Sequence, residues 1–90
     1  MAEVIWRNQA LDDLDQVIRY IRQFDPGAAD AIGVRLFDLG ESLADFPRRG
    51  RPAANGLREM VNVQPYILTY DVQGNEVFIL SIRHSARDLT

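Results

Sequence analysis

The sequence predicts an α+β fold, and three observations carry that reading. A short apolar run opens the chain, two helical periodicities follow with a tight break between them, and the C-terminal third alternates in the manner of strands. The predicted order is β-α-α-β-β-β: an N-terminal strand, an antiparallel helical hairpin and a three-stranded antiparallel sheet, in one domain of 90 residues. A chain of this length buries about 60–65% of the surface its unfolded form exposes, so its core is small and a partner has room to add stability.

Ala2 to Trp6 reads as the strand, with Val4 and Trp6 on one face and Ile5 on the other. From Asn8 to Gln23, Ala10, Leu14, Val17, Ile18 and Ile21 recur at helical spacing. Asp12, Asp13 and Asp15 come early in this helix and Arg19 and Arg22 late, the polarity its dipole favours. Asp25 followed by Pro26 then stops one helix and starts the next, because Asp is a good N-cap and Pro lacks the N–H that would go unpaired at the first helical position.

The second helix is expected to run to about Asp45, before Pro47 ends it. Ala29, Ile32, Leu36, Leu39 and Leu43 form a stripe for the sheet. Gly33, Phe37, Gly40 and Ala44 form a second stripe, open either to the first helix or to another protein. Pro47 to Gly56 has the composition of a loop and carries Arg48, Arg49 and Arg51, which suit either phosphate binding or simple solvation. Three strands follow, divided near Gln64-Pro65 and by the hairpin connection Gln73-Gly74-Asn75. Alternation in the last of them puts Phe78, Leu80, Ile82 and His84 on one face and Val77, Ile79, Ser81 and Arg83 on the other. With apolar residues on both faces, this strand is either central or covered by a partner.

Composition excludes several functions. No cysteine is present and there is one histidine, so no disulfide framework or thiolate metal site is expected, and no cofactor or metal. The start of the chain has no signal-peptide pattern, and no apolar run approaches a membrane span, so a cytoplasmic protein without membrane contact is expected. The net charge of −3 argues against broad adhesion to nucleic acid. All ten basic residues are Arg, which stays protonated, so acid–base roles fall to His84, carboxylates or tyrosines.

A family likeness then emerges from many small pieces in order. These are Trp6, Ala10 to Leu14, Tyr20-Ile21, Pro26 with Ala28-Ala29, Leu43-Ala44-Asp45-Phe46-Pro47, Gly50-Arg51, Gly56-Leu57-Arg58-Glu59, Pro65-Tyr66, Tyr70 and His84-Ser85-Ala86-Arg87-Asp88. Together they resemble the ParE/RelE superfamily of toxins from type II toxin–antitoxin systems, over nearly the whole chain. The resemblance implies a RelE/ParE-like fold and a cognate ParD/RelB-like antitoxin, with any operator DNA contact made through that antitoxin.

Two mechanisms divide the superfamily. RelE-like members resemble ribosome-dependent mRNA endoribonucleases, whose cations stabilise the scissile phosphate, whereas ParE-like members resemble inhibitors of DNA gyrase. Arg58 matches a basic position after the loop and Arg87 the C-terminal Arg. Ile67 stands where the nucleases carry a catalytic Arg after the middle-strand Tyr, and Met60 stands at another basic position. Each missing donor removes on the order of 3 kcal/mol of transition-state stabilisation. The ParE-like reading is therefore preferred. Its alternatives are a ribonuclease using Arg58, His84 and Arg87, or an inactive interaction domain.

The resemblance implies target contacts at Arg58, Arg83, His84 and Arg87. The expected antitoxin contacts are Val34, Phe37, Val77 and Ile79. Each site residue also has a plainer reading: His84 as a hydrogen-bonded structural residue, and Arg87 as the surface partner of Asp88. Arg58 points to the opposite strand face from Glu59, which makes the two poor partners and leaves Arg58 freer for an external anion.

Overall fold

The computed structural model describes residues 1–86, so Arg87 lies outside the described residues. Strand β1 (Glu3–Trp6) leads into helix α1 (Asn8–Arg22), and α2 (Pro26–Glu41) follows after three residues. Asp25 caps α2 as expected, its Oδ1 accepting from the backbone N–H of Ala28 at 3.0 Å, with Pro26 in the first turn. The helix passes into a 3₁₀ turn over Ser42–Ala44, consistent with an end before Pro47. The remaining strands are β2 (Arg51–Pro52), β3 (Arg58–Met60), β4 (Tyr66–Gln73) and β5 (Glu76–His84).

These strands form one five-stranded sheet in the order β1-β5-β4-β3-β2. The three C-terminal strands β3, β4 and β5 are antiparallel, as their short connections require. Two features extend that sheet. The N-terminal strand pairs parallel to β5, and a two-residue strand inside the arginine-rich loop adds the far edge. Strand β5 is therefore central, which accounts for its apolar residues without any partner.

The core lies between the sheet and the hairpin. Leu36, Leu39 and Leu43 meet Leu68, Tyr70, Val77, Ile79 and Ile82 there. The first stripe of α2 faces this core as expected, with Ala29 and Leu43 fully buried. Part of the second stripe is filled from within the protein. A Cβ on Gly33 would come within 2.8 Å of the Ile18 side chain, and one on Gly40 would run into the Trp6 ring. These small residues let α1 and Trp6 pack closely against α2.

The simple alternation expected for β5 is broken by a bulge. Thr69 pairs with Ser81 but Tyr70 pairs with Ile79, so Leu80 is an extra residue and the faces exchange around it. Val77, Ile79, Ile82 and His84 consequently share the helix-covered face, while Phe78, Ser81 and Arg83 take the open one. Val77 and Ile79 are fully buried, which corrects the expectation that they meet an antitoxin. Where β1 ends at Trp6, helix α1 takes over the sheet margin: the backbone N–H of Ile82 donates to Asp13 Oδ2 at 3.0 Å. Among the described residues, no helix is long and apolar enough to cross a membrane.

Candidate functional site

At one end of the sheet Tyr66 opens β4 opposite His84, the last residue of β5. Their rings meet edge to face at 5.5 Å and 87°. His84 Nδ1 accepts from the backbone N–H of Ala86 at 3.1 Å, so in the neutral ring the proton sits on Nε2. A cleft of about 340 Å³ lies between α1 and this corner, lined by Gln16, Tyr20, Tyr66, Arg83 and His84 together with Asp13. The carboxylate of Asp13 is occupied on both oxygens, by Ile82 N–H and by Gln9 Nε2 at 2.7 Å, so it acts as a structural cap.

Next to this corner, the open face of the sheet carries Arg51, Glu59 and Arg83. Glu59 stands between the two guanidinium groups, with Oε1 at 3.1 Å from Arg51 and Oε2 at 3.4 Å from Arg83. Arg83 also donates to Thr69 Oγ1. The Glu59 side chain retains only 15% exposure, which makes the pairing less screened than the solvent-facing bridge between Arg19 and Asp15. Ile67 and Met60, the positions lacking the nuclease cations, are both buried.

Arg58 lies elsewhere. It pairs with Tyr70, four residues along β4 from Tyr66, a separation of about 13 Å at the usual strand rise. Its Nη1 donates to the carbonyls of Gly50 at 2.7 Å and Arg48 at 3.2 Å, so part of the side chain is engaged by the loop. The predicted target set thus divides: Arg83 and His84 are neighbours, Arg58 is remote from both, and Arg87 falls outside the described residues. Sequence reading missed Arg51 and Glu59 as members of the open face. Strand alternation does separate Glu59 from Arg58, but the pairing of Arg51 with Glu59 depends on a two-residue strand that composition reads as loop.

A second surface runs along the hairpin. Leu14 and Ile18 of α1 with Gly33, Val34 and Phe37 of α2 line an apolar groove of about 550 Å³. Val34 is 60% and Phe37 44% exposed, although Phe37 also stacks on Trp6 at 5.5 Å. Large apolar side chains left in the open beside a groove mark an interaction surface.

Comparison with known proteins bears on the whole chain. Residues 4–89 match the family model described as ParE toxin of type II toxin-antitoxin system, parDE. A relative in Caulobacter vibrioides named Toxin RelE2 is 47% identical over 87 residues, covering 97% of this chain and 99% of its own. Another in Sinorhizobium fredii, Putative toxin Y4kP, is 35% identical, covering 89% of this chain and 84% of its own. A solved structure described as the chromosomal ParDE TA system from P. aeruginosa shares the fold, with a TM-score of 0.84 at 24% identity over 93% of this chain and 96% of that one. The helical hairpin, the five-stranded sheet and this agreement along nearly the full length place the chain in the ParE toxin family of type II toxin–antitoxin systems.

Proposed function

We propose that this toxin acts without catalysis, by docking on DNA gyrase, and that its cognate antitoxin neutralises it from the hairpin groove. The observation that carries the reading is Glu59 between Arg51 and Arg83. A scissile phosphate approaching the open face meets that carboxylate along with the two cations. A guanidinium already paired with a carboxylate stabilises the charge on a scissile phosphate less well, and each lost donor costs on the order of 3 kcal/mol. The apolar Ile67 and Met60 remove two further cations from the pattern the nucleases use. Docking needs no such concentration of charge.

Val34 and Phe37 fit the antitoxin's part, since an amphipathic helix laid into an apolar groove buries residues of this kind. On this reading the toxin acts in the cytoplasm, and operator DNA is bound by the antitoxin. Supercoiling by purified gyrase in the presence of the purified toxin tests the proposal. Inhibition is expected at stoichiometric excess; full gyrase activity together with cleaved transcripts would reject it.

One observation favours a second reading, a ribosome-dependent endoribonuclease. His84, with its Nε2 proton, shares a cleft with Tyr66 and Arg83, the kind of group that can exchange protons with a ribose hydroxyl. Primer extension on translated mRNA should then show cuts that disappear in His84→Ala.

A further inference from the structure

The arginine-rich loop and the Arg58 strand together build a small cleft that the proposed function leaves unassigned. Arg48, Gly56, Arg58 and Val72 line a volume of about 200 Å³, and no carboxylate is among them. Elsewhere, Arg19, Arg22, Arg51 and Arg83 each stand within ion-pair distance of an acid. Among the described residues Arg48 and Arg58, like Arg7, Arg35 and Arg49, have no such partner, and these two line one cleft together in a chain whose net charge is −3.

The cleft is also built in advance. Gly50 N–H donates to the hydroxyl of the fully buried Tyr70 at 2.9 Å, and Arg58 Nη1 holds the carbonyls on either side of Arg49. Arg49 itself donates to Ser42 Oγ at 3.0 Å. A Cβ at Gly50 would stand 2.7 Å from the Tyr70 hydroxyl, so only glycine lets the loop close this tightly. Opposite, Gly56 has φ +76°, and a Cβ there would meet nothing within 4 Å, which leaves its backbone accessible from the cleft side. Arg58 thus has Nη1 committed to the loop, while Nε and Nη2 make no hydrogen bond among the described residues.

We infer that this cleft binds a phosphate group, with Arg48 and Arg58 each engaging one non-bridging oxygen. A phosphodiester offers two such oxygens, and guanidinium groups match them in charge and planarity. A lone carboxylate would be served by a single guanidinium fork, so the paired arrangement favours phosphate. Resting on the gyrase reading, the inference takes the physiological source to be the DNA backbone at the gyrase–DNA complex.

Inorganic phosphate titrated into the isotope-labelled full chain, followed through arginine Nε–H and backbone N–H resonances, provides the test. Saturable shifts at Arg58 and Gly56 are expected, and Arg48→Gln should weaken them about tenfold, the size of one charge-assisted bond. Arg48 suits the purpose because its guanidinium holds no part of the loop. Arg35→Gln, on α2, should change nothing. Shifts spread evenly over all arginines, or indifferent to Arg48→Gln, would overturn the site. Acetate binding as tightly at equal ionic strength would overturn phosphate in favour of an acidic protein partner.

A short DNA duplex distinguishes the sources. Binding that depends on Arg48 supports the backbone, whereas binding of free phosphate alone overturns it. Gyrase inhibition is measured separately on the same proteins. Unaltered inhibition by Arg48→Gln would remove this cleft from the target contact and leave the gyrase reading intact. Loss of inhibition with Arg48→Gln supports the inference.

Discussion

The open face of the sheet and the loop cleft each bring two arginines together, and a single carboxylate separates their behaviour. On the open face Arg51 and Arg83 converge on Glu59, whose two oxygens divide between them. In the cleft Arg48 and Arg58 meet with no acid in the lining. Arg48 and Arg51 are only three residues apart, yet the short β2 strand carries Arg51 to the Glu59 side while Arg48 stays with Arg58. A cluster of arginines in sequence is therefore not a cluster in space. Which cations remain available depends on where a strand begins.

Gly50→Ala should break the comparison most severely. The added methyl would press on the Tyr70 ring and the Glu59 carbonyl, opening the loop that forms the cleft while leaving the open-face ion pairs in reach. A loss of about 2 kcal/mol, or roughly 10 °C in Tm, is expected from denaturant and thermal unfolding. An unchanged midpoint would mean that the loop is not held as described.

Tyr70→Phe separates the hydrogen bond from the packing. With the ring retained, only the buried partner of Gly50 N–H disappears, and stability should fall by about 1–2 kcal/mol. Denaturant titration reads this directly, and neutrality would show that the hydroxyl does not anchor the loop.

Glu59→Gln tests the open face. Removing the charge should lower stability by only about 1 kcal/mol, because Arg51 and Arg83 are both partly solvent-screened. It should also raise phosphate affinity there about tenfold, making the open face resemble the cleft. If phosphate binding does not improve, the carboxylate is not what keeps this face from attracting anions.

Arg22→Ala sets the lower bound. Its bridge to Asp30 lies in solvent on both sides, and its loss should cost about 0.3 kcal/mol in the same unfolding assay. A larger value would imply that exposed pairs matter more in this protein than the comparison assumes.

Much of the fold was legible because local rules acted without competition. Helical spacing from Asn8 onwards, the Asp25-Pro26 junction and the stop before Pro47 each rest on interactions within a few residues. The elements lie close to where those rules put them, α2 giving way to a 3₁₀ turn after Glu41 instead of running to Asp45. The faces of β5 were not legible. Leu80 has no residue-type signature of a bulge, and only the pairing of Tyr70 with Ile79 reveals that alternation skips there. That skip is why Val77 and Ile79 point inward, although a strict period of two assigned them outward. The site was readable in its ingredients but not in its grouping. Arg58, Arg83 and His84 are close neighbours of the family motif, yet strand register holds Arg58 at Tyr70 and His84 at Tyr66.

The takeover of the sheet margin by Asp13 also bears on how safely this molecule can be stored at high concentration. An exposed strand edge invites copies to zip together into fibrous stacks, and two stretches of the margin here discourage that. On one side the carboxylate already occupies the Ile82 donor that an incoming strand would seek. On the other, the edge is two residues long and one of them is Pro52, which has no N–H to offer. Strand addition is blunted at both of these places, and the groove between the helices offers another chain a different place to settle.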